Sequence, residues 1–210
     1  MSYALDRRAL APALSDLPAD QIVPPAVPGF PAGRVYPLDR PDLGTARRLL
    51  AGQRPHAVIG ICGDTRLPKL AAIVRLDLAR IGMSASVLQA PQCPGRFEHA
   101  DLSFVTLGSN QLDPGVFVGL ALTTGVFGAP LGPGPWNSRA FRMQLERARA
   151  LRGQARTVAF REIEDKLMRM APLAVYGSWV WAEYLSPKVG CKVFQAEYGF
   201  VDLGALCKNS

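Results

Sequence analysis

The stretch from His56 to Gln89 constrains the fold of this chain more than any other part of it. His56 to Gly63 reads HAVIGICG, a short apolar run rich in Val and Ile and bounded by turn formers, which predicts a buried strand. Asp64 and Thr65 can cap a helix whose apolar residues Leu67, Leu70, Val74, Leu78 and Ile81 recur at helical spacing, with Lys69, Asp77 and Arg80 on its other faces. Gly82 closes that helix, and Ser84 to Gln89 is a second strand. Strand, helix and strand within so short a span form a crossover whose two strands lie parallel and adjacent. The class is therefore α/β.

Around this unit the remaining elements are read from caps and periodicity. Met1 to Leu14 predicts a short helix ending near Ser15. Pro18 to Pro41 holds seven prolines and reads as an extended, irregular excursion. Asp39, Pro41 and Asp42 precede a short helix that stops at Gly52. Asp101 to Leu107 is a third strand, and the Asp113-Pro114 turn opens a helix to Leu122. After a Gly/Pro cluster from Gly125 to Pro135, Asn137 or Ser138 caps a helix to about Ala150, Gly153 breaks it, and a second helix runs from about Ala155 to Met170. Residues 174–184 are aromatic and β-prone, and an irregular tail follows. The organisation expected is residues 1–55 as a helix plus Pro-rich excursion, 56–173 as an α/β unit, and 174–210 as a segment of different character.

Composition and charge narrow the function classes. At 210 residues and 49% hydrophobic the chain can bury a core, and no apolar run is long enough to cross a bilayer. Asp6, Arg7 and Arg8 interrupt the N-terminus where a signal peptide needs an apolar stretch, so none is expected in this chain. Net charge is +7, and the excess lies in residues 139–169, which carry nine basic and four acidic side chains. The arginines from Arg139 to Arg169 surround the apolar set Phe141, Leu145, Ala148, Ile163, Leu167 and Met170, as on the solvated side of two packed helices. No aromatic residues interleave with them as a nucleic-acid platform would require, and no nucleic acid is expected as a partner.

Catalytic and metal motifs are not found. His56-x5-Cys62 and Cys93-x5-His99 invite a zinc reading, but six residues of extended strand span roughly 20 Å and keep His56 and Cys62 from one ion. The prolines of Gly128 to Pro135 remove the N–H donors an anion cradle needs. Neither an enzyme nor a cofactor is expected. Four cysteines allow three pairings. Cys62 and Cys93 emerge on the same edge of a parallel pair, and Cys191 and Cys207 share the loop-rich tail. Two disulfides in an oxidising compartment and buried free thiols both stay open.

Several segments together resemble the C-terminal part of the family 5 extracytoplasmic solute-binding proteins of ABC importers, the oligopeptide, dipeptide and nickel binders. Tyr3 to Leu10 (YALDRRAL) looks like the family's A-I-D-R helix, and Tyr36-Pro-Leu-Asp39 with Ala46-Arg-Arg-Leu-Leu50 is similar to its Y-x-x-D-x-x-x-A-x-x-L-L stretch. Ala72 to Met83 resembles the helix that ends in I-G-I, Asp113-Pro114 with Phe117 looks like D-P-x-x-F, and Arg156 to Pro172 resembles the helix that ends in A-P. The set runs in family order across nearly the whole chain.

The resemblance implies a periplasmic-binding-protein-like (type II) C-terminal lobe with a mixed sheet flanked by helices. It further implies a small solute or peptide ligand, delivery to an ABC permease through the full-length protein, and an extracytoplasmic location. A full member adds a larger N-terminal lobe, so the resemblance implies one lobe without its partner, with residues 1–55 packing on the α/β ligand-binding lobe of 56–173 and residues 174–210 returning toward the N-terminal lobe. Part of the apolar surface of Val175 to Leu185, and the excursion from Pro24 to Pro37, should then lack a covering surface. Peptide binders of the family show W-x-A-D-Y-x-D-P, whose first Asp holds the ligand's α-ammonium. Counting back from Asp113, that Asp position is Asn110, the Tyr position is Gln111 and the Trp position is Leu107. The resemblance thus marks Asn110, Gln111 and Leu107 as candidate ligand contacts, and Trp136 can either stack on ligand or pack in the core. A basic nucleic-acid-binding protein and a lobe without activity of its own are the alternatives.

Overall fold

The computed structural model describes residues 1–209 except 32, 34, 94–96, 98, 110, 125–135, 137, 181 and 196–199. Asn110, Asn137, Trp181 and the Gly125–Pro135 connector lie outside the described residues.

The crossover sits where the hydrophobic pattern puts it. Strand β2 (His56–Cys62) pairs in parallel with β3 (Ser84–Ala90), from His56 opposite Ser84 to Cys62 opposite Ala90. Helix α3 (Leu67–Ala79) joins them, and Gly82 follows it with φ +89°, a conformation open to glycine. Ala57, Ile59 and Ile61 point to the α3 side, where they are buried with Leu70, Val74 and Leu78. The opposite face keeps Gly60, on which Phe97 packs so closely that a Cβ would stand 2.7 Å from its ring.

Sequence and structure differ at three points here. Asp64 does not cap α3: it closes a turn instead, accepting from the Arg66 amide and guanidinium, and the helix starts at Leu67 with Pro68 in its first turn. Asp77 is not on a solvated face. It is 1% exposed, because Oδ2 accepts the Asp6 amide at 2.8 Å and Oδ1 pairs with Arg80 at 3.2 Å. The third strand shrinks to β4 (Leu102–Ser103), parallel to β2, so the sheet order is β3-β2-β4.

Before the crossover, α1 (Arg7–Leu10), capped by Asp6, runs into a 3-10 turn (Ala11–Leu14) that ends at Ser15 in a left-handed conformation. Strand β1 (Leu17–Pro18) follows, and α2 (Leu43–Leu50) is capped by Asp42. After the sheet come α4 (Pro114–Gly119), a wider π turn (Leu120–Thr124), α5 (Arg139–Ala150), capped by Ser138, and α6 (Gly153–Met170). The tail forms β5 (Gly177–Ser178), β6 (Val189–Gly190), β7 (Phe194–Gln195), β8 (Phe200–Val201) and β9 (Cys207–Lys208). These pair antiparallel as β1 with β5, β6 with β9 and β7 with β8. Parallel and antiparallel ladders thus coexist in one α/β architecture, and the β-prone segment 174–184 keeps two ladder residues, Gly177 and Ser178, among its described residues.

The Pro-rich excursion is a core element rather than an uncovered one. Val27, Phe30 and Tyr36 are buried with Phe117, Phe141, Phe160, Ile163 and Leu167 of α4, α5 and α6. Proline fixes the backbone but leaves apolar side chains free to pack, and each buried large side chain contributes roughly 1.5–3 kcal/mol. Buried charge holds the excursion in place. Asp20, with no exposure, accepts the amides of Gly33 (2.7 Å), Val35 (2.7 Å) and Tyr36 (2.9 Å). Glu164 of α6, equally buried, accepts the Val23 amide at 2.6 Å.

Arg7 is buried as well, 1% exposed. Its guanidinium donates to the carbonyls of Ala19, Val175, Ser2 and Pro37, joining the N-terminal turn, the excursion and the start of the tail. It also lies 5.4 Å over the Tyr36 ring.

Candidate functional site

Ligands of open α/β sheets bind beyond the carboxyl ends of parallel strands, so the loops after β2, β3 and β4 are where a site is expected. At the ends of β2 and β3 the Cys62–Cys93 disulfide ties the two exits together, with Cα atoms 5.0 Å apart. The second disulfide, Cys191–Cys207, joins the β6–β9 pair in the tail. Both pairings favoured by position are formed, and no described cysteine is free.

The loop after β4 leads to the Asp113 cap. Asp113 Oδ1 accepts the amides of Gly115 (2.7 Å) and Val116 (3.2 Å), which satisfies the first turn of α4. The same carboxylate takes the Arg156 guanidinium on both oxygens at 2.8 Å. Arg156 also donates to the Arg149 carbonyl at 2.9 Å and lies 4.7 Å over the Phe160 ring. Arg156 is thus withdrawn from the solvated face to which its helical position assigns it. Ion pairing across 43 residues carries no local sequence signal, although the Asp-Pro cap does. Gly115 is required here, since a Cβ would meet Phe160 at 2.8 Å and Asp113 Oδ1 at 2.9 Å. Asp113, Gly115 and Arg156, with Val116, Gly119, Leu120 and Arg149, line an open pocket of about 400 Å³.

Of the sequence-derived candidates, Asn110 lies outside the described residues, and Gln111 stands two positions before the cap in the chain. Leu107 is half-buried against the helical core, and Gln111 is exposed, its amide donating to Ser109 Oγ at 3.0 Å. Trp136 is half-buried against the same core, and its Nε1 is buried without a hydrogen-bond partner among the described residues. The core therefore brings Leu107 and Trp136 to one cluster and leaves Gln111 facing solvent.

A polar group that the sequence does not signal surrounds the exit of β2. Hydrogen bonds from the Arg66 side chain and amide hold the Asp64 carboxyl down at about 2. Burial pushes the Tyr176 phenol up to about 12, with Asp16 adding to the shift and Arg66 opposing it. Burial likewise raises Asp16, whose Oδ2 stands 3.1 Å from where a Cβ on Gly177 would lie.

Further along, the tail presents apolar surface: Trp179 is 63% exposed, Tyr184 95%, Phe194 62% and Leu203 75%. No described group of His, Cys, Asp and Glu is arranged to hold a metal ion, and no described helix is long and apolar enough to cross a membrane.

No protein-family model and no curated protein matches this sequence. Solved structures do match. Clavulanic acid biosynthesis oligopeptide binding protein 2 superposes with a TM-score of 0.79 at 21% identity over 100% of this chain and 42% of its own. HbpA2 from Haemophilus parasuis gives 0.73 at 17% identity, over 100% of this chain and 44% of its own. NikA from Staphylococcus aureus, solved with Ni(L-His)2, gives 0.69 at 14% identity over 99% and 47%. The chain therefore has the fold found in these binding proteins and spans less than half the length of each.

Proposed function

We propose that this chain is the C-terminal lobe of the substrate-binding component of an ABC importer for peptides or similar small solutes, working outside the cytoplasm and without catalysis. One observation carries the reading: full-length agreement with binding proteins of this kind, over less than half of each of them. In this reading residues 56–173 form one wall of the ligand cleft, residues 1–55 pack on it, and residues 174–210 return toward a second lobe. The exposed Trp179, Tyr184 and Leu203 suit that return, since large apolar side chains left in water are what a second surface would cover.

Asn110, Gln111, Leu107 and Trp136 are the proposed ligand contacts. Asn110 stands where peptide binders carry an acid, and an amide offers a free α-ammonium much less than a carboxylate does. The favoured ligands are therefore those that do not depend on a charged amino terminus.

The test is reconstitution. The chain is co-expressed with a candidate N-terminal lobe encoded beside it, and binding of a peptide set is measured by calorimetry. The assembled pair should bind far more tightly than either lobe alone, because a single wall cannot enclose a ligand. Asn110→Asp should favour peptides with free amino termini over their N-acetylated forms. Equal effects on both would remove Asn110 from the cleft. A chain that neither associates with such a lobe nor binds solute in its presence would overturn the reading.

A further inference from the structure

We propose that the free edge of β3 is a self-association surface, on which a second copy of this chain adds its own β3 antiparallel about a two-fold axis at Val87. Strand β3 ends the sheet order β3-β2-β4, so one side of it has no neighbour among the described residues. The Ser84 amide donates to the Pro55 carbonyl at 3.1 Å, toward β2. Backbone groups alternate along a strand, so Ser84, Ser86, Leu88 and Ala90 aim their amides and carbonyls at β2. Ala85, Val87 and Gln89 aim theirs away from it.

Both ends of this row are closed. The Met83 amide is taken by the Leu78 carbonyl at 3.1 Å, and Pro91 has no amide hydrogen. What remains is three outward residues placed symmetrically about Val87. An antiparallel copy with Val87 opposite Val87 sets Ala85 opposite Gln89, and every outward amide on either copy then meets an outward carbonyl of the other. A two-residue slip leaves an outward residue of each copy unpaired, and a one-residue slip opposes outward to inward groups. The edge is thus complementary to itself in one register, as an isologous two-fold contact requires.

The side chains agree with the backbone. Edge strands of soluble proteins are ordinarily blunted by a charge, a proline or a bulge. Ser84–Ala90 reads SASVLQA and carries no charge and no proline. Val87 and Leu88 remain 37% and 39% exposed, and pairing would cover both. The fused sheet would run β4-β2-β3 and on into the second copy's β3-β2-β4. A second copy is favoured over an unrelated extended segment because the closed ends at Met83 and Pro91 leave an outward row that this strand's own row matches in length and register. The inference is independent of the solute-binding reading.

Sedimentation velocity of the 210-residue chain over a wide concentration range reads it directly. The parent should show a concentration-dependent dimer. Val87→Pro removes the central outward amide without touching a bond to β2, as edge strands tolerate. It should weaken dimerisation at least ~10-fold with an unchanged circular dichroism spectrum. Should that variant fail to fold, oxidation of single-cysteine variants decides the matter. Val87→Cys should crosslink to its own copy, since paired Cα atoms sit about 5.5 Å apart, within disulfide reach. Ala85→Cys should not, because its copies lie ~13 Å apart along the strands. A strictly monomeric parent, a dimer that survives in a folded Val87→Pro, or Ala85→Cys crosslinking as readily as Val87→Cys would each overturn the proposal.

Discussion

Removing the Asp20 carboxylate should destabilise this protein more than removing any exposed charge, because it strands three amides of the excursion at once. Asp20 has no exposure and accepts from Gly33, Val35 and Tyr36 at 2.7, 2.7 and 2.9 Å. An amide left without a partner costs ~1–3 kcal/mol when it is buried and much less when water can reach it. Gly33 is exposed, Val35 half-buried and Tyr36 buried, so the contributions are unequal. For Asp20→Ala they total about 4 kcal/mol, a large fraction of the ~5–15 kcal/mol available to a domain. Asp20→Asn keeps one acceptor and faces an NH2 toward a donor, and should lose about 2 kcal/mol. Urea unfolding of the oxidised protein measures both: at an m-value of ~2 kcal/mol/M the Asp20→Ala midpoint falls by about 2 M with m unchanged. Asp39→Ala is the control, since its side chain is 85% exposed and pairs with Arg8 at 3.7 Å. An Asp20→Ala variant within ~1 kcal/mol of the parent, or no worse than Asp39→Ala, would refute the reasoning.

A non-reducing peptide map should recover Cys62 linked to Cys93 and Cys191 linked to Cys207, and opening either bridge, across separations of 31 and 16 residues, should be destabilising. By chain entropy each contributes roughly 3–4 kcal/mol, read as the stability difference between the parent and paired Cys→Ser variants. Burial raises the Asp16 carboxyl above its unfolded value, so its contribution is full below that value and is lost as pH rises through the folded one. Asp16→Asn should therefore flatten the acid side of the stability–pH profile and lose no stability at pH near 7. The Tyr176 phenol, raised to about 12, contributes in the same sense at the alkaline end. Phenolate absorbance should show a group that ionises well above the ordinary tyrosines and disappears in Tyr176→Phe, with stability falling as pH passes ~10. Gly60→Ala should lose ~1–3 kcal/mol by overpacking against Phe97, and Phe97→Ala in the same chain should relieve it.

The crossover was legible because its signals are local. Seven residues of apolar strand, a helix with Leu70, Val74 and Leu78 on one side, and Gly82 at its end leave few alternatives. The helix starts after Asp42 and Asp113 and at Ser138 were legible for the same reason: the capping oxygen and the amide it accepts lie within three residues of each other. The third strand was overestimated because apolar content in Asp101 to Leu107 says nothing about whether a neighbour is present to pair with it, and two residues find one.

The parts of the site and the core that escaped the sequence depend on partners far along the chain. Arg156 resembles every other arginine on its helix until Asp113, 43 residues away, takes its guanidinium. Asp77 looks solvated until the Asp6 amide, 71 residues away, reaches it. Arg7 reaches the Val175 carbonyl across 168 residues. The sequence by itself determined the α/β class, the crossover, the starts of α2, α4 and α5 and, through the order of its motifs, the fold shared with the binding proteins it superposes on. Tertiary structure alone decided that the Pro-rich excursion is core, that Arg7, Asp20, Asp77 and Glu164 are buried, and that β3 keeps an open edge. The physical reason is range: propensity, caps and amphipathic period act over a turn or two of chain, whereas burial and pairing of charge are set by whatever surface the rest of the fold brings alongside.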